Sequence, residues 1–111
     1  LVPTGLIMKM KNSGIGSPGN NIANYSIRLH ARSGMSLKQG LVLANAEGVI
    51  DVDYQKEILV MLTNISVMPV AINTGDRIAQ AEIVRNYIAY FELGDNVTQH
   101  SERDGGFGST G

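Results

Sequence analysis

No stretch of this 111-residue chain repeats apolar side chains at helical spacing for as long as three turns. What recurs instead is short apolar or alternating runs, each closed by Gly, Pro, Asn or Asp. That pattern indicates an all-β fold, a sandwich or a barrel. Leu1–Met10 is apolar and ends in alternation, so it is expected to form a strand. Lys11–Asn24, rich in Gly, Asn and Ser and containing Pro18, reads as a long loop. Tyr25–Ala31 alternates, with Ile27 and Leu29 set against Ser26, Arg28 and His30. Ser33–Gly40 is short, is closed by glycine, and suits one helical turn. Leu41–Ala44 is another apolar strand, and Asn45-Ala46-Glu47-Gly48 is a turn leading into Val49 and Ile50. Ile58–Leu62 is apolar at every position, as in a strand buried on both faces. In a small domain the second face is expected to meet another subunit. Pro69 suits an edge or a strand start beside Val70–Ile72. Asn73-Thr74-Gly75-Asp76 is a turn, Arg77–Val84 a further strand, and Gly105–Gly111 a glycine-rich tail.

Composition narrows the function classes. The length suits one compact domain, and 43% hydrophobic residues suit an ordinary core. A net charge of −1 gives no broad basic surface, so stable nucleic-acid binding is not expected. Positive charge for a phosphate ligand must then be concentrated locally. The absence of cysteine excludes disulfides, thiolate nucleophiles and cysteine-ligated zinc. His30 and His100 are too far apart in sequence to make a metal motif. The most apolar stretch, Ile58–Ile72, is interrupted by Thr63, Asn64, Ser66 and Pro69, and is too short and polar to span a bilayer. Leu1–Met10 carries no secretory signal, and a soluble cytoplasmic protein is the expectation. Leu1 opens inside an apolar segment, so further sequence is expected upstream.

Four segments carry groups suited to chemistry. Arg32-Ser33-Gly34 follows a strand and opens a turn, where a guanidinium, a hydroxyl and free N–H groups can grip a phosphate. Gly48-Val49-Ile50-Asp51-Val52-Asp53-Tyr54 sets two carboxylates and a phenol beside a strand turn. A carboxylate there can orient and deprotonate water, and the ring can stack on a sugar or base. Gly75-Asp76-Arg77-Ile78-Ala79-Gln80 leads from a turn into a strand and can present the Gln80 amide to a phosphate oxygen. Arg103 to Gly111 places Phe107, Ser109 and Thr110 among glycines, a segment able to close over a nucleotide. Taken alone, each segment reads better as an ordinary turn, hairpin or tail; order and spacing together decide.

In that order, the segments resemble motifs two to five of the trimeric dUTPase family. The match runs from Leu1-Val2-Pro3-Thr4-Gly5-Leu6 to the last residue, with Lys11–Asn24 less well matched. Gly48–Tyr54 resembles the third and most diagnostic motif, and Gly-Gly-Phe-Gly-Ser-Thr-Gly resembles the fifth. The resemblance implies an all-β, jelly-roll-like β-clip subunit over residues 1–101 in a threefold homotrimer. It also implies a flexible tail, 102–111, that closes over a neighbour's site. The implied reaction is Mg²⁺-assisted hydrolysis of dUTP to dUMP and pyrophosphate, which limits uracil incorporation into DNA. The Mg²⁺ would be held mainly by substrate phosphates and water, with no protein metal ligands.

The roles carried over are specific. Asp51 would be the general base and contact the deoxyribose 3′-OH. Tyr54 would pack under the sugar and leave no room for a 2′-OH. Asn45 and the backbone of Gly48, Val49 and Ile50 would read the uracil edge. Arg32, Ser33, Gly34 and Gln80 would bind phosphates; Phe107 would cover the uracil, with Arg103, Ser109 and Thr110 on the triphosphate. The family's acidic first motif would lie upstream of Leu1. Ala31 stands where the family usually has proline, Lys56 where glycine is common, and Arg103 one residue closer to Gly-Gly-Phe than usual. His30 is expected to be a strand-face residue rather than a catalyst. Two alternatives remain: a dCTP deaminase-type relative of the same fold, and a catalytically inactive regulatory or interaction homologue.

Overall fold

The structure, a computed structural model, describes residues 1–11 and 24–94. Among these the chain forms β1 (Val2–Pro3), β2 (Tyr25–His30), α1 (Ser33–Gln39), β3 (Leu41–Leu43), β4 (Gly48–Asp51), β5 (Leu59–Val60), β6 (Leu62–Asn64) and β7 (Gln80–Arg85). The strands pair antiparallel in three small sheets: β1 with β5, β3 with β6, and β4-β2-β7 with β2 at the centre. The all-β expectation is met.

The alternation in β2 organises the largest sheet. Residues directly opposed across an antiparallel pair share a face. Ile27 opposes Ile50 and Ile83, while Leu29 opposes Gly48 and Ala81, giving one apolar face. The other face carries Ser26 with Asp51, Arg28 with Val49 and Glu82, and His30 with Gln80. The apolar face joins a core of Leu29, Leu43, Ile58 and Val60, against which Met8, Ile50, Leu62 and Ile78 pack. Each fully buried side chain of this kind contributes about 1.5–3 kcal/mol relative to an exposed one.

The helix is local in origin and tertiary in anchoring. None of its residues is buried. Its C-terminus is set by Gly40, whose φ of 69° is left-handed and whose N–H bonds back to Ser36 at 3.1 Å. The Gly40 carbonyl then accepts Ile65 N–H at 2.8 Å, and Ser36 Oγ donates to Leu41 O at 2.9 Å. These bonds tie a seven-residue helix, too short to stand alone, to β3 and the strand beyond it.

Several expectations need correction. Leu1–Met10 is a strand only at Val2–Pro3, because Gly5 adopts φ 70° and turns the chain. Pairing survives on either side of that turn, with Thr4 N–H to Ile58 O at 3.2 Å and Ile58 N–H to Leu6 O at 2.9 Å. Ile58–Leu62 is not buried on both faces within the chain. Ile58 and Val60 are buried, whereas Leu59 and Met61 are exposed. The run hands over at Met61 from pairing with β1 to pairing with β3. No strand forms at 69–72, and the last strand begins at Gln80 instead of Arg77 and ends at Arg85. Beyond β7, the large side chains of Tyr87, Ile88, Tyr90, Phe91 and Leu93 are all exposed. Most of the expected loop at Lys11–Asn24, and the glycine-rich tail, lie outside the described residues. No helix among the described residues is long and apolar enough to cross a membrane.

Candidate active site

Among the described residues β4 is an edge strand: it pairs with β2 on one side and has no strand on the other. Against it lies a cavity of about 320 Å³, within the range of small-molecule sites. Asn45, Gly48, Val49, Ile50, Asp51, Asp53 and Tyr54 line it, above an apolar floor that includes Leu43, Ile58, Leu59 and Met61. An edge strand leaves alternate backbone N–H and C=O groups outside the ladder, free to meet a planar hydrogen-bonding ligand.

Two turns set this wall. Before β4, Ala46 takes a left-handed φ of 61° and donates its N–H to Leu43 O at 3.0 Å, which brings Asn45 beside the strand. After β4, Tyr54 N–H closes onto Asp51 O at 3.1 Å, and the Tyr54 hydroxyl donates to Glu57 O at 2.8 Å. The carboxylate and the phenol therefore belong to one hydrogen-bonded turn. Lys56 keeps an ordinary negative φ, so replacing a glycine there imposes no backbone strain.

A second cavity, about 610 Å³, holds Arg32 and Gln80 together with the 72–79 turn and apolar side chains of the 1–8 segment. The turn closes through Asp76 N–H to Asn73 O at 3.0 Å and Asn73 N–H to the Asp76 carboxylate at 2.8 Å. Arg32 Nη1 donates to Arg77 O at 2.9 Å, and the Gln80 amide lies 3.4 Å from Ala31 O. Ser33 and Gly34 follow in the first turn of α1 and are not among the lining residues of this cavity. A side chain at Gly34 would meet nothing within 4 Å, so the backbone there is open to a ligand.

The two groups of expected site residues line separate cavities of the chain. Asp51 opposes Ser26 and Gln80 opposes His30, so they share a face of the sheet but stand four residues apart along β2. At about 3.3 Å per residue this is roughly 13 Å along the strand, and because β4 and β7 flank β2 on opposite sides, about 9–10 Å more across it. Between them is a polar network. Arg28 bonds Glu47 at 2.9 Å and Ser26 Oγ at 3.0 Å, and His30 Nε2 lies 2.8 Å from Glu82 Oε1. His30 is thus a strand-face residue, as expected. Arg103, Phe107, Ser109 and Thr110 lie outside the described residues. Sequence reasoning missed Leu59 and Met61 as cavity floor, because an unbroken apolar run conceals which alternate residues face inward. Among the described residues, no three His, Cys, Asp or Glu side chains are placed to hold a metal ion.

Comparison with known proteins agrees with this geometry. A family model described as dUTPase matches residues 19–111. Over 110 residues the chain is 41% identical to the deoxyuridine 5′-triphosphate nucleotidohydrolase of Desulfitobacterium hafniense, covering 99% of this chain and 66% of that protein. It is 40% identical over 111 residues to the enzyme of the same name from Dinoroseobacter shibae, covering 100% of this chain and 64% of that one. The chain therefore spans somewhat less than two thirds of the length of these curated relatives. Among solved structures, a variant of the Staphylococcus bacteriophage 80alpha dUTPase, determined with dUpNHpp, superposes with a TM-score of 0.60 at 26% identity. That superposition covers 79% of this chain and 68% of the phage protein. A family match over residues 19–111 and identity of this extent along the whole chain reflect common descent, and the chain belongs to the dUTPase family.

Proposed function

We propose that the protein hydrolyses dUTP to dUMP and pyrophosphate, and so limits uracil incorporation into DNA. The observation that carries the reading is the cavity along the free edge of β4, where Asn45, Gly48, Val49, Ile50, Asp51 and Tyr54 converge. Backbone groups of that edge suit the donor and acceptor pattern of uracil. Cytosine reverses the pattern and would leave buried groups unpaired, a strong basis for rejection. Thymine carries an extra methyl against the apolar floor. The Tyr54 ring packs under the deoxyribose, and Asp51 contacts the 3′-OH.

Asp51 also orients a water for in-line attack on the α-phosphorus. As the new P–O bond forms, Asp51 takes the water's proton; the bond to the bridging oxygen breaks, and pyrophosphate leaves. Arg32, Ser33, Gly34 and Gln80 hold the phosphates. Mg²⁺ is the proposed cofactor. The triphosphate brings its own hard oxygen donors, and Mg²⁺ retains several waters, so a cage of protein carboxylates is not required. When bound it neutralises the triphosphate and holds one reactive conformation.

A separation of roughly 13 Å along β2 between Asp51 and Gln80 supports a site completed by another subunit, as in a homotrimer. The exposed apolar run from Tyr87 to Leu93 supports the same assembly. Arg103, Phe107, Ser109 and Thr110 of the tail would close over a neighbour's nucleotide. We place the activity in the cytoplasm, in keeping with a sequence free of cysteine.

The test is pyrophosphate release from dUTP and Mg²⁺ by purified full-length protein, against dCTP, dTTP and UTP. Release confined to dUTP is expected. Ammonia release from dCTP would favour the deaminase reading instead, and no turnover of any nucleotide would favour an inactive homologue. Asp51→Asn is expected to lower kcat by roughly 10²–10⁴-fold while nucleotide binding persists. Turnover at the wild-type rate would remove Asp51 as the base.

A further inference from the structure

We infer that Glu57 is a positioning residue for Tyr54, acting through a clamp that Thr4, Gly5 and Leu6 close around residues 57 and 58, and that this clamp sets discrimination between deoxyribo- and ribonucleotides. The second half of the inference rests on the functional reading above; the first half rests on hydrogen bonds alone.

A ring that excludes one hydroxyl group must be fixed to within a fraction of an ångström, since small misplacements near reacting groups cost large factors in rate. Tyr54 is half-exposed, and its hydroxyl donates to the Glu57 carbonyl at 2.8 Å. The position of that carbonyl therefore sets the position of the phenol. Glu57 is held from both sides. Its carboxylate accepts Gly5 N–H at 2.8 Å. Its neighbour Ile58 is anchored in the core, and the Ile58 carbonyl accepts both Thr4 N–H at 3.2 Å and Thr4 Oγ1 at 2.7 Å. Ile58 N–H donates to Leu6 O at 2.9 Å, and Leu6 N–H returns to Thr4 Oγ1 at 3.1 Å.

Gly5 has a purpose in this arrangement. A side chain there would meet nothing within 4 Å, so space does not demand glycine. Its φ of 70° does, and this left-handed turn lets its N–H reach Glu57 while Thr4 and Leu6 pair with Ile58. Contacts 52 residues apart in sequence thus fix the segment that carries Asp51 and Tyr54. The carboxylate of Glu57 is exposed, so its bond to Gly5 is a weak source of stability. Its effect is felt where the loop must hold its shape.

The experiment compares wild type, Glu57→Ala, Glu57→Gln and Thr4→Val in the full-length protein, reading kcat and KM for dUTP and UTP alongside Tm. Glu57→Ala is expected to reduce the dUTP:UTP ratio of kcat/KM about tenfold, chiefly by admitting UTP, while Tm changes little. Glu57→Gln keeps an oxygen acceptor for Gly5 N–H and is expected to restore the ratio to within about twofold of wild type. Thr4→Val loosens the clamp from its other side and is expected to shift the ratio in the same direction, and it carries the test should Glu57→Ala not fold. Tyr54 ring resonances in the ligand-free protein provide a readout independent of activity, and broader or averaged ring signals are expected in Glu57→Ala. A wild-type protein that leaves dUTP intact would sink the functional reading while the ring signals still decide the clamp. Unchanged selectivity and unchanged ring signals in folded Glu57→Ala or Thr4→Val would overturn the inference.

Discussion

Replacing Gly48 with alanine tests the link between the core and the candidate site, because this residue belongs to both. It opposes Leu29 across the β2–β4 pair, and both residues line the cavity. A Cβ at Gly48 would lie 3.0 Å from Leu29 Cβ, 3.3 Å from its Cδ1 and 3.4 Å from its Cγ. The shortest contact is to an atom fixed to the β2 backbone, so rotating Leu29 does not relieve it. Gly48 does not have a positive φ, so crowding and not backbone conformation is what alanine introduces. β4 must then move away from β2 by a few tenths of an ångström. Overpacking of this kind costs about 1–3 kcal/mol. In a domain near this size each kcal/mol lowers Tm by roughly 4–8 °C, so a fall of about 5–20 °C is expected. The same movement displaces the edge proposed to read the base, and KM for dUTP should rise about tenfold with a smaller change in kcat. Thermal melts and steady-state kinetics on the same preparation read both quantities. Adding Leu29→Ala removes Cγ and Cδ1 but leaves Cβ, so the double variant should not recover the affinity. Unchanged Tm and unchanged KM in Gly48→Ala, or recovery of affinity in the double variant, would refute the reasoning.

Other substitutions separate stability from chemistry. Gly40→Ala combines a left-handed φ of 69° with a Cβ only 2.8 Å from Ser66 Cβ and 3.0 Å from Ser66 N. A loss of about 2–4 kcal/mol in urea denaturation is expected, with KM unchanged in the folded fraction because Gly40 lines neither candidate cavity. Arg32→Ala removes the 2.9 Å bond to Arg77 O at an exposed site, so Tm should move by less than about 1 kcal/mol equivalent. If Arg32 holds phosphate, KM for dUTP should rise roughly 10–100-fold, and a KM within twofold of wild type would remove it from the phosphate site.

The features legible from sequence are those written in short-range spacing. The period-two pattern of Tyr25–His30 marks β2 and separates Ile27 and Leu29 from Arg28 and His30. Gly40 ends α1, and the 45–48 and 73–76 segments turn, because each needs only the conformational preferences of adjacent residues. Where local signals were weak or absent, the reading went astray. Ile58–Leu62 carries no alternation in its composition, so nothing in it says that Ile58 and Val60 are buried while Leu59 and Met61 are exposed, or that Leu59 and Met61 join Ile58 in the cavity floor. Val70–Ile72 is apolar beside a proline yet finds no strand partner among the described residues. The apolar start stops being a strand at Pro3 because Gly5 turns it, which apolarity alone does not reveal.

By itself, then, the amino-acid order determined the strand-rich class, the turns and the short helix that follows Arg32. Only the tertiary structure decided who meets whom: Asn45 with Tyr54, Arg32 with Arg77, and Gly5 with Glu57, while Asp51 and Gln80 stay apart at opposite ends of β2. The reason is that backbone preference and side-chain period act over a few residues. The approach of positions some 50 apart depends instead on which strand edges pair and which apolar faces close, a choice made by the whole chain at once.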